Sequence, residues 1–262
     1  MVFFHAVNWG FVASGFIVGA LVGLTGTGGG SLMTPILILL FGIQPVTAVG
    51  TDLLYASATK TGGSLMHGLN HTIEWRVVRR LAAGSVPAAI LTLLALHFIG
   101  VSNHAANAFL SKILGATLLV TCCALVFRRQ LVVFYRARVG SLGDSRTHRF
   151  TILTGAILGA LVASTSIGAG ALGVTALILL YPELPMARLV GSDIAHAVPL
   201  TLAAGVGHWL LGNIDASLLG TLLLGSLPGI FVGSALAARM PDQMLRHILA
   251  GVLFFVALKL LF

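Results

Sequence analysis

Apolar positions along this chain gather into blocks at 9–24, 31–41, 45–66, 77–99, 104–127, 150–163, 171–181, 185–210, 216–238 and 243–262, with polar residues collected at the breaks between them. The spacing predicts a helix in each block. The longer blocks match the roughly 20 residues needed to cross about 30 Å of hydrocarbon. Blocks 31–41 and 171–181 are too short, because 11 residues of helix rise about 16 Å, half a bilayer. Pro45 fits the first turn of the helix it opens.

The pattern occurs twice. Gly15 and Gly19, leading to Gly26-Thr27-Gly28-Gly29-Gly30-Ser31, return about 140 positions later as Gly155 and Gly159, leading to Ser166-Ile167-Gly168-Ala169-Gly170-Ala171. Gly50-Thr51-Asp52 returns as Gly191-Ser192-Asp193, His67 as His208, and Gly84-Ser85-Val86-Pro87 as Gly225-Ser226-Leu227-Pro228. Gly15, Gly19, Gly155 and Gly159 suit close packing between helices. Gly28 to Gly30 are a poor way to build continuous helix, so they predict a break. Each half thus reads as a glycine-broken hairpin of short half-helices followed by three long transmembrane helices. Residues 1–127 form the first repeat, 128–149 a basic connector and 150–262 the second repeat.

Composition places these helices in lipid. With 57% hydrophobic and 8% charged residues, the chain has too little polar surface for a soluble globule. The mean hydropathy of +1.02 agrees. Met1 to His5 lack the basic stretch of a cleaved signal peptide, so the first apolar block is expected to be retained. The expectation is an all-α, multi-pass integral membrane protein.

Charge then orients it. The net charge of +8 includes six arginines within 128–149, the signature of a cytoplasmic loop rather than a nucleic-acid patch. Arg76, Arg79 and Arg80 put the start of 77–99 in the cytoplasm, whereas 100–103 carries no basic residue. In the second half 211–215 is free of basic residues while Arg239 and Arg246 flank the turn after 216–238, so the equivalent helix runs the other way. Loop charges therefore predict two inverted repeats. Cys122 and Cys123 are neighbours in one helix and indicate neither a disulfide nor a metal site.

Inverted breaks would bring two half-helix N-termini, at Ser31 and Ala171, toward the midplane from opposite sides. Unpaired N–H groups and the positive ends of the helix dipoles there suit an anion. The residues expected to bind it are Gly28, Gly29, Gly30, Ser31, Thr51, Gly168, Gly170 and Ser192. Asp52 and Asp193 are intramembrane carboxylates with two competing roles: carrying protons, or bonding the broken backbone of the opposite glycine loop. Lys60 has no basic counterpart, since the matching position is Thr201, and it can pair with Asp52, meet the substrate, or snorkel to the interface. His67 and His208 lie near helix ends, where interfacial hydrogen bonding competes with gating; His196, one turn after Asp193, is the better proton relay.

The glycine-rich 26–30 with Pro35, Gly50-Thr51-Asp52-Leu53-Leu54, Lys60 to His67 with its Thr-Gly-Gly-Ser, and Gly191-Ser192-Asp193-Ile194-Ala195-His196 through Gly207-His208 resemble the TauE/SafE sulfite exporter family. The resemblance implies a bacterial inner-membrane permease, an exporter of small sulfur-containing anions such as sulfite or organosulfonates. Ala169 and Ala171 depart from the family's fuller glycine pattern. A small anionic solute and the bilayer are the partners it calls for, with a homo-oligomer compatible and no nucleic acid, cofactor or metal. An anion channel would use the same site. An intramembrane enzyme fares poorly, since there is no His-Glu-x-x-His, no Ser or Cys beside a base, and no phosphate loop.

Overall fold

A computed structural model describes residues 9–25, 32–99, 104–139, 143–237 and 242–261. Among these every regular element is helical: α1 Trp9–Thr25, α2 Met33–Phe41, α3 Pro45–Leu69, α4 Trp75–Ile99, α5 His104–Val126, α6 Arg128–Val139, α7 Asp144–Thr165, α8 Ala171–Leu180, α9 Met186–Leu210, α10 Ala216–Ala237 and α11 Asp242–Leu261. Three stretches, Trp75–Phe98, Met186–Leu210 and Ala216–Gly233, are long and apolar enough to cross a membrane. The short pair stays short, with 9 residues in α2 and 10 in α8.

Two boundaries differ from the sequence pattern. Residues 128–149 read as a connecting loop, yet α6 occupies most of them and α7 starts at Asp144, six residues before the apolar block. Hydropathy marks where lipid begins, whereas a helix can continue beyond it wherever its backbone stays bonded. Arg76 and Arg80 of α4 both bond Asp144, at 2.6 and 3.1 Å, which anchors this polar first turn of α7 beside α4.

Glycines set which helices touch. A Cβ on Gly155 or Gly159 would collide with the backbone carbonyls of Leu81 or Ser85, so α7 lies directly on α4. Gly15 and Gly19 meet the carbonyls of Leu222 and Ser226, so α1 lies on α10 in the same way. Both pairs run parallel. Helices α3 and α9 are instead antiparallel, with Gly50 beside His208, Gly63 beside Ile194 and Gly205 beside Leu54. Helices α5 and α11 are antiparallel too, since Gly115 meets Leu261 and the Cys122 thiol bonds the Ala250 carbonyl at 3.3 Å.

Apolar side chains fill the spaces between these pairs. Val18, Met33, Leu37, Ala48, Tyr55, Leu218 and Leu222 form one core from α1, α2, α3 and α10. Val77, Leu81, Val174, Leu177, Tyr181 and Leu189 form its equivalent from α4, α8 and α9. Large apolar groups also face outward, among them Phe98, Leu210 and Phe231, each more than three-quarters exposed. Such faces are costly in water and suited to acyl chains.

Candidate functional site

The second glycine break is a true interruption. Ser166 ends α7 in a left-handed conformation at φ 60°, and its N–H bonds the Val162 carbonyl at 2.8 Å. Gly168 and Gly170 follow at φ 127° and 126°, values that a side chain would strain, before α8 begins at Ala171. In the first half α1 ends at Thr25 and α2 begins at Met33. Gly28, Gly29, Gly30 and Ser31 lie outside the described residues.

A carboxylate of the same half faces the first turn of each half-helix. Asp52 Oδ2 accepts the Thr34 hydroxyl at 2.6 Å and the Thr34 backbone N–H at 3.2 Å, in the first turn of α2. Asp193 lies against Gly173, in the first turn of α8, so closely that no side chain fits there. Each aspartate thus touches its own half-helix, and Asp52 also lies close to Ser166 of the opposite loop. The reason is local: α2 packs on α3 and α8 on α9, which brings the first turn of each short helix beside the long helix that follows it.

Lys60 does reach across. Its ammonium donates to the Ala169 carbonyl, inside the second break, at 3.0 Å. The residue is 8% exposed, so it does not snorkel, and no ion pair within 4.0 Å joins it to Asp52 or Asp193 among the described residues. Four acceptor atoms of the aspartates and the second break are buried without a hydrogen-bond partner: both oxygens of Asp193, Oδ1 of Asp52 and the Ser166 hydroxyl. The Ser166 hydroxyl and the Gly170 N–H lie close to Asp52 and Asp193 respectively, short of hydrogen-bond geometry.

His196, fully buried, shares a 2.8 Å hydrogen bond between Nε2 and the Ser85 hydroxyl of α4. The matching pair in the other half is Tyr55 and Ser226, whose hydroxyls lie side by side. Sequence reasoning did not select Thr34, Tyr55 or Ser85 as site residues. Ser85 and Ser226 do stand in the repeated Gly-Ser-x-Pro motif, and Tyr55 occupies the position equivalent to His196.

The remaining expected residues bond elsewhere, Ser192 and Thr51 across the two halves and His208 and His67 within their own. Ser192 accepts the Glu74 backbone N–H at 2.8 Å, and Thr51 accepts the Asp215 N–H at 3.3 Å. His208, 2% exposed and so not interfacial, donates from Nε2 to the Ala163 carbonyl at 2.9 Å and faces the Asn213 amide through Nδ1. It thereby satisfies a carbonyl at the C-terminal end of α7. Half-buried His67 pairs through Nδ1 with the Thr72 hydroxyl at 2.7 Å.

No group of three or more His, Cys, Asp or Glu side chains able to hold a metal occurs among the described residues. What the centre offers is one ammonium, two carboxylates, hydroxyls and the freed backbone of a broken helix, sealed from water between the halves.

The family model described as sulfite exporter TauE/SafE matches residues 11–260. A probable membrane transporter protein, YjnA of Bacillus subtilis (strain 168), is 39% identical over 95% of this chain and 98% of its own. A second from that organism, YdhB, is 28% identical over 88% of this chain and 91% of its own. A probable membrane transporter protein of Xylella fastidiosa (strain 9a5c) is 25% identical over 92% and 88%. No solved structure matches the chain significantly.

Proposed function

The chain belongs to the TauE/SafE sulfite exporter family of membrane transporters, and from that premise we propose that it carries a small sulfur-containing anion, sulfite or an organosulfonate, outward across a bacterial inner membrane. The observation that carries this reading is the Lys60 ammonium on the Ala169 carbonyl. It puts a buried positive charge at the start of a half-helix, where freed N–H groups and the helix dipole also favour an oxyanion. Gly168 and Gly170 allow the backbone to approach such a solute closely. Asp52, held by Thr34, acts as a fixed cap; Asp193, with His196 one turn away, is where a coupled proton would be held.

Alternation fits the helix arrangement. The equivalent helices α3 and α9 are antiparallel, as are α5 and α11, while α1 lies on α10 as α7 lies on α4, which is the contact pattern of two inverted repeats exchanging partners. Rocking one repeat against the other would expose the break to each side in turn, with the turn contacts at Thr51, Ser192, His67 and His208 as the natural gates. Export needs no coupled ion, since an inside-negative potential drives each expelled negative charge by about 2.3 kcal/mol per 100 mV.

Purified protein should show a raised melting midpoint with sulfite or a short sulfonate and not with chloride. A panel of sulfite, thiosulfate, sulfate and sulfonates that leaves the midpoint unmoved overturns the substrate class. Saturable counterflow of the stabilising anion in proteoliposomes identifies a carrier; conductance without counterflow identifies a channel.

A further inference from the structure

With 12 residues, α6 rises about 18 Å, too little to cross about 30 Å of hydrocarbon. One face of it is docked. Arg128 is buried and donates to the Met186 sulfur at 3.3 Å, and Val132, one turn on, packs against the core of Val77, Leu81, Tyr181 and Leu189. Those partners open α4 and α9 and close α8, so α6 lies at the end of the molecule where Arg76 and Arg80 bond Asp144.

The rest of the helix turns outward. Leu131, Val133 and Phe134 are 41%, 63% and 60% exposed, which gives an apolar surface to an element rich in arginine. An exposed apolar face on a basic helix too short to span is the pattern of a helix lying in the membrane interface. The neighbouring helix supports that depth. Phe150 and Leu153 of α7, about half exposed, begin its apolar block directly after Arg149, so the arginines before them stand at the level of lipid headgroups.

Charge decides what covers this face. Between positions 128 and 142 the chain has four arginines and no acidic residue. Arg146 and Arg149 follow, exposed, and the ion pairs among the described residues use Arg76, Arg80 and Arg188 instead. A second copy packed α6 to α6 would set like charges against each other, which is costly. An anionic lipid neutralises them while its chains cover the apolar side chains.

We propose that α6 and the first turns of α7 form a docking surface for anionic phospholipids of the cytoplasmic leaflet, with phosphates drawn to the basic stretch 128–149 and acyl chains covering Leu131, Val133 and Phe134. The link between the two repeats is thereby held on the leaflet. This surface lies away from the solute path and holds whichever anion is carried.

Phe134→Trp places a fluorophore on the face, and the full-length protein is reconstituted in phosphatidylcholine vesicles holding about 20% phosphatidylglycerol. Either the phosphatidylglycerol or an equal amount of the phosphatidylcholine carries brominated chains. The signal read is the fluorescence gained over wild type, whose Trp9, Trp75 and Trp209 give the background. Brominated phosphatidylglycerol should quench it at least about twice as strongly as brominated phosphatidylcholine, as expected of a few arginines near charged lipid. That preference should fade in about 0.5 M sodium chloride, where screening is strong. It should also fade when Arg129→Gln, Arg138→Gln, Arg146→Gln and Arg149→Gln are added together.

Equal quenching by the two lipids overturns the proposal. So does an absence of quenching, which would put position 134 in water or beneath a protein partner. A preference unchanged by salt or by the four substitutions overturns it too, because the arginines would not be its source. Should the fourfold variant fail to fold, the salt series on Phe134→Trp decides, with Leu131→Trp as a second position on the same face.

Discussion

Asp52 takes two hydrogen bonds from the single residue Thr34, one from its hydroxyl at 2.6 Å and one from its backbone N–H at 3.2 Å. The hydroxyl bond is short and charge-assisted, and both groups are fully buried. The second half has Val174 at the matching position, so this clamp exists on one side alone.

Thr34→Val preserves shape but removes the hydroxyl donor. It should destabilise the protein by about 1.5–3 kcal/mol, the range for bonds to charged groups. Thr34→Ser should recover most of that loss. Unfolding titrations of the three proteins in one detergent check the order, and equal stability of all three would show the clamp to be energetically idle.

The glycines divide by what a methyl group would meet. Gly159→Ala drives a Cβ into the Ser85 carbonyl and must part α4 from α7, at a cost of about 1–3 kcal/mol or more. Gly62→Ala, in the exposed part of α3, meets nothing within 4 Å and should stabilise by roughly 1 kcal/mol through helix propensity. Folded yield and melting midpoint should therefore move in opposite directions for the two alanines.

The two equivalent histidines should not respond alike. His208→Ala leaves the buried Ala163 carbonyl unpaired, which costs about 1–3 kcal/mol. His67→Ala loses a half-buried contact to the Thr72 hydroxyl and should cost less. Parallel melts of the two variants test the ranking; an equal or larger loss at position 67 would contradict the assignment of His208 as the cap of α7.

Asp144 ties α7 to α4 outside the apolar segments. The hydrogen bond from Arg80, followed by the charges of Arg76 and Arg80, holds its carboxyl below the ordinary aspartate value of 3.8. A depressed carboxylate stabilises the fold above its unfolded value, and that contribution fades as pH falls through the folded one. The melting midpoints of wild type and Asp144→Asn should differ by a constant small amount from pH 8 to about pH 5 and converge below about pH 4. A gap that widens on acidification would show that Asp144 is not the titrating partner.

Much of the framework was legible in the chain. Unbroken apolar runs leave the backbone no bonding partner but itself, so the long helices follow from composition. Gly15, Gly19, Gly155 and Gly159 also announced close packing, because only the absence of a Cβ lets two backbones come so near. The charged stretch 128–149 was less transparent, since hydropathy does not distinguish a polar helix such as α6 from a loop.

Sequence alone therefore determined the helices, the second break, the twofold repetition and the buried polar residues that recur with it. Tertiary structure alone decided what those residues touch. That Asp52 would hold its own half-helix and Lys60 a carbonyl of the other half depended on how α2 and α3 pack and on where the chain unwinds at Ala169. A main-chain carbonyl is chemically the same at every position, so no residue type could signal which one would be freed to receive the ammonium.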